Sequence, residues 1–416
     1  MNNRASTFDV VVVGAGPAGL AAAWAAAESG KCVAIIDDNP APGGQIWRGA
    51  KPNDSLSKRW LRKCQRAEIE ILPETRVIAA DTARRQITIE KVAGGSRIAF
   101  RSLVLATGAR ERFLPFPGWT LPNVMGAGAL QAFVKSGLSI RNKRVVVAGT
   151  GPLLVAVAAY LKKNGADIAA VIEQASTSSI AHFALGLSRT PQKVWQAARL
   201  RSTLWKVPYR AGCRVTAATG DGKVSEVQFQ TKRRSYRKKC DYLAIGYGLV
   251  PNTELAAALG CSVSREGVRV DERQQTSIPG IFCAGEATGI GGVNLSLIEG
   301  QIAGCSAAGR TSAARDLFAL RRAEQGFAFR LAAAFALRPE LKGLPAADTI
   351  ICRCEDVPYS ALENMSDWRT AKLLTRCGMG PCQGRVCGAA TEFLFGWQAE
   401  SIRPPVFPAR IETLLC

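Results

Sequence analysis

The chain has 416 residues, 47% hydrophobic and 21% charged, a balance that excludes a disordered or fibrous protein. Its single histidine, His182, excludes a Ser-His-Asp hydrolase or a His-ligated metal centre unless either depends on that one residue. The formal net charge is +21, and residues 141–240 alone hold 19 Lys and Arg against 4 Asp and Glu. A surface this basic suits an anionic partner, with a solvated basic face as the competing reading. No nucleic-acid module accompanies it and aromatics are only 7%, so a nucleic-acid partner is not expected.

Residues 10–27 carry no charge, but Gly14, Gly16, Pro17 and Gly19 break the stretch, so a strand, a turn and a helix explain it better than a membrane span. Residues 8–13 read as a buried strand, residues 20–29 as a helix and residues 32–36 as a second buried strand ending at Asp37. Between them stands Gly14-Ala15-Gly16-Pro17-Ala18-Gly19, the G-x-G-x-x-G pattern of a dinucleotide site. Such a turn lets backbone approach a pyrophosphate and aims a helix N-terminus at its charge. Asp37, with Asp38 beside it, stands where an acid at the second strand's end binds a ribose hydroxyl.

The pattern recurs. Residues 144–148 predict a strand, 155–164 a helix and 168–172 a strand ending at Glu173. The turn is Gly149-Thr150-Gly151-Pro152-Leu153-Leu154, in which Leu154 replaces the third glycine and loosens the expected helix–strand contact. The sequence therefore predicts an α/β protein with two Rossmann-like dinucleotide-binding domains. Three more strand-to-glycine segments accompany them: Ala106-Thr107-Gly108, residues 241–248, and Ala284-Gly285-Glu286. Residues 311–346 have helical spacing and read as a linker or packing helix.

Five of the 13 cysteines fall near the end: Cys352, Cys354, Cys377, Cys382 and Cys387. This clustering suits metal ligation in a reducing cytoplasm better than a disulfide framework. Cys352-Arg353-Cys354 and the later pair Cys382 and Cys387 supply the four thiolates that a [2Fe–2S] cluster needs. Gly378, Gly380, Gly384 and Gly388 let backbone N–H groups face sulfur, and Arg353, Arg376 and Arg385 offset negative charge. A zinc site held by four cysteines is the competing assignment, which the C-x-C pair argues against. Cys32, Cys64, Cys213, Cys240, Cys261, Cys283, Cys305 and Cys416 are scattered, and most are expected as small core hydrophobes. His182 is expected in a packing or surface role. The basic runs 141–144 and 232–239 are expected in loops or hairpins.

Gly14–Gly19, Asp37, Gly43-Gly44-Gln45, Ala106-Thr107-Gly108 and Ala284-Gly285-Glu286 together resemble the two-dinucleotide-binding-domain flavoproteins. That resemblance implies FAD on the first unit, with Gly14, Gly16, Pro17, Ala18, Gly19, Asp37, Asp38, Gly44, Gln45, Arg48, Thr107, Gly108, Gly285 and Glu286 as its binding residues. Glu286 takes the place of the commoner Asp at the flavin's ribityl chain. On the second unit, Gly149, Gly151, Pro152 and Glu173 are the residues that NAD(P) or ATP would use. No C-x-x-C or C-x4-C pair lies beside either turn, so a disulfide reductase role is not expected. The cysteine segment resembles the bacterioferritin-associated-ferredoxin-like [2Fe–2S] domain, which implies Cys352, Cys354, Cys382 and Cys387 as ligands and leaves Cys377 beside the site.

Across nearly the whole chain, the element Gly43-Gly44-Gln45-Ile46-Trp47-Arg48, the second turn and the cysteine domain are similar to the α subunits of heteromeric bacterial amino-acid-oxidising complexes. These include octopine and nopaline oxidase, D-hydroxyproline dehydrogenase, dye-linked L-proline dehydrogenase and hydrogen cyanide synthase. The resemblance implies a D-amino-acid-oxidase-like β subunit on which a secondary amine is oxidised. It further implies a small acidic ferredoxin-like subunit for the basic segment, FMN at a subunit interface, and a cytoplasmic complex peripheral to the inner membrane through its electron acceptor. No catalytic residue is expected in this chain, because the oxidation falls to the partner. The alternative is a self-contained NAD(P)H-dependent ferredoxin-type reductase. The expected domains are 1–117 with 268–345 for FAD, 118–267 for the second nucleotide, and a small helical [2Fe–2S] domain at 346–416.

Overall fold

The computed structural model describes residues 6–48, 55–187, 191–398 and 402–415. The chain forms two compact units, one of residues 1–110, 250–328 and 400–416, the other of residues 111–249 and 329–399.

The first unit is built on a seven-stranded sheet. Its strand Ser6–Val13 runs parallel to Val33–Ile36 on one side and to Gly94–Leu105 on the other. Val10, Val11 and Val12 have no exposed surface, as a strand covered on both faces requires. The helix Pro17–Ala27 begins at a proline, whose missing N–H costs nothing in the first turn. It therefore starts three residues earlier than the apolar pattern predicts. It packs against Gly292–Ala307, and the approach is close: a Cβ at Gly300 would lie 2.2 Å from the Ala18 carbonyl oxygen, and one at Gly304 2.1 Å from that of Ala22. The last residues join this unit because Val406 donates its N–H to the Ile78 carbonyl at 2.8 Å and buries its side chain in the core below the sheet.

The second unit repeats the plan on a five-stranded sheet in which Arg144–Gly149 lies between Asp167–Glu173 and Tyr242–Gly246. Its helix Pro152–Lys163 again starts at a proline. Leu154, in the place of the third glycine, is a fully buried residue of that helix's first turn. A three-stranded antiparallel sheet ends in the hairpin strand Ser235–Lys239, where the basic run 232–239 is largely exposed. The cysteine segment folds in the same unit around its own small core of Ile351, Val357, Leu362, Ala371 and Trp397. Among the described residues, no helix is long and apolar enough to cross a membrane.

Candidate functional site

At the first turn, Gly14 has φ +106°, and a Cβ there would lie 2.3 Å from the Ala106 carbonyl oxygen. A Cβ at Gly19 would strike the Gly14 carbonyl oxygen, so both positions admit only glycine. Gly16 differs: nothing lies within 4 Å of where its Cβ would be. Open space in front of a helix N-terminus is what a pyrophosphate needs. Asp37 is buried and accepts the N–H groups of Ala15 at 2.5 Å and Asn39 at 2.8 Å. Asp38 instead points outward to an ion pair with Arg76 at 2.9 Å. The short helix Gly44–Trp47 faces Gly16, and Arg48 donates to the Asn39 side chain. Gln45 is exposed.

Thr107 and Gly108 are held by Asn252, a residue the sequence motifs do not single out. The Thr107 hydroxyl donates to the Asn252 carbonyl at 2.7 Å, and the Asn252 amide donates to the Thr107 carbonyl at 2.9 Å. Gly285 donates its N–H to Glu299 at 3.0 Å, another buried residue outside the motifs. Burial pushes the carboxyls of Glu286 and Glu299 above the usual range, and the Gly292 N–H partly offsets this at Glu286. The first turn, Asp37 and the Gly285–Glu286 corner all belong to the first unit, and their glycine cradle fits a flavin dinucleotide.

At the second turn, Gly149 approaches the backbone of Gly246, and the Glu173 carboxylate has no exposed surface. Glu173 accepts the N–H of Gly151 at 2.7 Å and that of Ala175 at 2.8 Å, and burial raises its pKa to about 6. The neighbouring Thr150 and Gln174 bond to residues 335–338 of the same unit.

The third constellation is the thiols. The sulfurs of Cys352, Cys377 and Cys387 all lie within 4.8 Å of one another, and all three residues are buried. Cys377 therefore packs directly against Cys352 and Cys387. The Cys387 thiol lies against those of Cys352, Cys377 and Cys382, and Cys382 lies against Cys354. The neighbouring Cys377 and Cys387 side chains draw the Cys352 thiol down, whereas the contact with Cys352 pushes Cys377 up. Backbone N–H groups of Gly378 and Cys354 point at the Cys352 sulfur, and those of Val386 and Gly384 at Cys382. A Cβ at Gly380 would lie 2.2 Å from the Cys354 Cβ, so glycine is required where that chain segment passes. Convergent thiols met by backbone N–H groups fit an iron–sulfur centre. Arg376 pairs with Glu355 at 2.7 Å, and Arg353 lies over the Trp119 ring at 5.3 Å.

Among the remaining cysteines, Cys32 is exposed, while Cys64, Cys213, Cys240, Cys261, Cys283 and Cys305 are buried. Cys416 lies outside the described residues. His182 is exposed on the helix Thr177–Gly186.

Two glycine turns, each between parallel strands, with a flavin-type acid corner on the first, define a flavin-dependent oxidoreductase. The chain belongs to the pyridine nucleotide-disulphide oxidoreductase family, whose model matches residues 8–311, and membership implies FAD binding. Its relatives are more particular. One opine oxidase subunit, from Rhizobium meliloti, is 32% identical, over 97% of each chain. Hydrogen cyanide synthase subunit HcnB of Pseudomonas aeruginosa is 33% identical, over 91% of this chain and 90% of that one. Among solved structures, L-proline dehydrogenase from P. horikoshii superposes with a TM-score of 0.72 over 100% of this chain and 80% of that one, at 19% identity, a likeness of fold. The chain is accordingly a subunit-type flavin oxidoreductase with a cysteine cluster compatible with an iron–sulfur centre.

Proposed function

We propose that this chain is the electron-transferring subunit of a heteromeric dehydrogenase that oxidises a secondary amine of the opine, proline or hydroxyproline class on a partner β subunit. The observation that carries the reading is the pairing, on one chain, of an open flavin-type turn with a group of neighbouring thiols, of which Cys352, Cys377 and Cys387 are buried, Cys382 is half-buried and Cys354 is exposed. The near full-length likeness to HcnB and to the opine oxidase subunit supports it.

In this reading Gly14, Gly16, Pro17, Ala18 and Gly19 receive the pyrophosphate, and the helix dipole of Pro17–Ala27 favours its charge. Asp37, already oriented by two backbone N–H groups, accepts the ribose hydroxyl. Gly44, Gln45 and Arg48 cover the adenosine side, Thr107 and Gly108 line the flavin side, and Gly285 and Glu286 meet the ribityl chain. FAD, when bound, supplies exchange between two-electron and one-electron chemistry. Cys352, Cys354, Cys382 and Cys387 hold a [2Fe–2S] cluster, which supplies one-electron transfer, and the N–H groups aimed at Cys352 and Cys382 stabilise negative charge on their sulfurs. Cys377 remains a thiol packed against Cys352.

The test of the assembly is co-expression with an adjacent oxidase-like reading frame. Amine-dependent reduction of an artificial dye is expected only in the co-purified complex. Equal activity from the partner alone would overturn the subunit role. The test of the ligand set is iron content. Cys387→Ala is expected to bring iron to background, and Cys377→Ala is expected to retain it with a shifted EPR spectrum. Iron loss in Cys377→Ala would replace the proposed set.

A further inference from the structure

The second glycine turn is contacted at Thr150 and Gly151 by the chain's own residues 335–338, which follow the helix Arg315–Ala334, while Pro152 and Leu153 stay exposed. Three side chains hold that segment down. The Thr150 hydroxyl donates to the Phe335 carbonyl at 2.9 Å. The Gln174 amide donates to the Ala336 carbonyl at 2.9 Å and to the Thr150 hydroxyl at the same distance. The Gln174 carbonyl accepts from the Arg338 N–H at 3.2 Å and from its Nε at 3.3 Å. The Phe335 ring packs edge-on against Phe183, with centroids 5.6 Å apart.

The position of this segment matters more than its strength. Gly151 is the glycine whose missing side chain would let a pyrophosphate approach the turn. A Cβ there would lie 4.0 Å from the Phe335 Cβ and Cγ, whereas at the equivalent Gly16 nothing lies within 4 Å. The N–H groups of the turn are also engaged: that of Gly151 by Glu173 at 2.7 Å and that of Thr150 by the Gly246 carbonyl at 2.7 Å. The segment further sets two carbonyl oxygens, those of Phe335 and Ala336, against the Thr150 hydroxyl and the Gln174 amide, and carbonyl oxygens beside the turn disfavour an anion there. Buried polar groups that are this fully paired are costly to separate.

We propose that residues 335–338 form a strap that stands in place of a dinucleotide on the second turn, so that this chain takes no electrons from NADH or NADPH. The strap decides which reductant the chain accepts. The inference deepens the proposed function, since electrons must then come from a donor oxidised elsewhere, but its binding test does not need an amine.

The experiment uses the flavin-loaded full chain and measures NAD+ and NADP+ binding by calorimetry. The wild type is expected to show no saturable binding up to about 1 mM, and the Phe335→Ala/Arg338→Ala variant is expected to bind at least about tenfold more tightly. Hydrogen exchange on the wild type gives a second readout that no folding defect can obscure. The Arg338 amide is expected to be protected, and its exchange unchanged by added NADPH. Wild-type binding of either nucleotide below about 100 μM would overturn the strap. So would a folded double variant that binds no better, or an Arg338 amide whose exchange responds to NADPH. Failure of amines to reduce the complex, with the strap results as expected, would instead sink the proposed function alone.

Discussion

The two glycine turns share a plan and differ in what lies in front of them. Each follows a buried strand, starts its helix at a proline and ends its second strand at an acid that accepts a backbone N–H of the turn. At Gly16 there is open space, and at Gly151 there is Phe335. The lesson is that a nucleotide-binding pattern specifies backbone geometry but not access, since access is decided by residues that the pattern does not contain.

The largest expected effect on this comparison comes from the glycines both turns need. Gly14→Ala and Gly149→Ala each place a Cβ near 2 Å from a carbonyl oxygen, at 2.3 and 2.0 Å, in a left-handed backbone. Each should cost roughly 2–4 kcal/mol in denaturant unfolding. Flavin retention by folded Gly14→Ala protein would contradict the site.

Next comes Gly16→Val. Gly16 has φ −74°, and no atom lies near its Cβ position, so the variant should fold. It should lose flavin, read as absorbance at 450 nm per chain falling by about tenfold or more. Gly151→Val is its counterpart: φ +91° predicts a stability loss of about 1–2 kcal/mol with flavin content unchanged. Equal flavin loss in the two would erase the distinction between the turns.

Gln174→Ala removes the amide that joins the strap to the turn and should cost about 1–3 kcal/mol, since Gln174 is buried and its partners would be left unpaired. The smallest effect is a pH dependence. Burial raises Glu173 to about 6 from 4.5, so the folded state binds the extra proton and stability from this group falls as pH rises from about 4.5 to 6. The drop should approach about 2 kcal/mol and then level off. Glu173→Gln should flatten that slope, and an unchanged slope would place the titration elsewhere.

Much of this was legible in the sequence. Valine-rich runs beside glycine turns announced the parallel strands at both turns, because strands covered on both faces exclude polar residues. The cysteine spacing announced a thiol cluster. The helix starts were misplaced by three residues at Pro17 and Pro152, because the apolar run is not where the backbone begins to turn. The packing of Cys377 against Cys352 and Cys387 was not legible, since nothing in spacing distinguishes a thiol packed among others from one beside them. Nor was the strap: Phe335 lies 185 residues from Thr150 in an Ala- and Arg-rich stretch, and its contact is made by a main-chain carbonyl, which leaves no mark on residue type. Asn252 pins Thr107 from 145 residues away through both its main-chain carbonyl and its side-chain amide, and no local pattern marks it.

The central claim is that this chain receives electrons from an amine oxidised on a partner and not from a nicotinamide. The most direct measurement is anaerobic visible spectroscopy with low-temperature EPR, on the chain alone and on the co-expressed complex, after adding NADPH, NADH or a secondary amine such as proline, hydroxyproline or an opine. The account predicts no bleaching of the lone chain by either nicotinamide, and bleaching of the complex by an amine with a reduced [2Fe–2S] signal. Rapid bleaching of the lone chain by NADPH or NADH would contradict it.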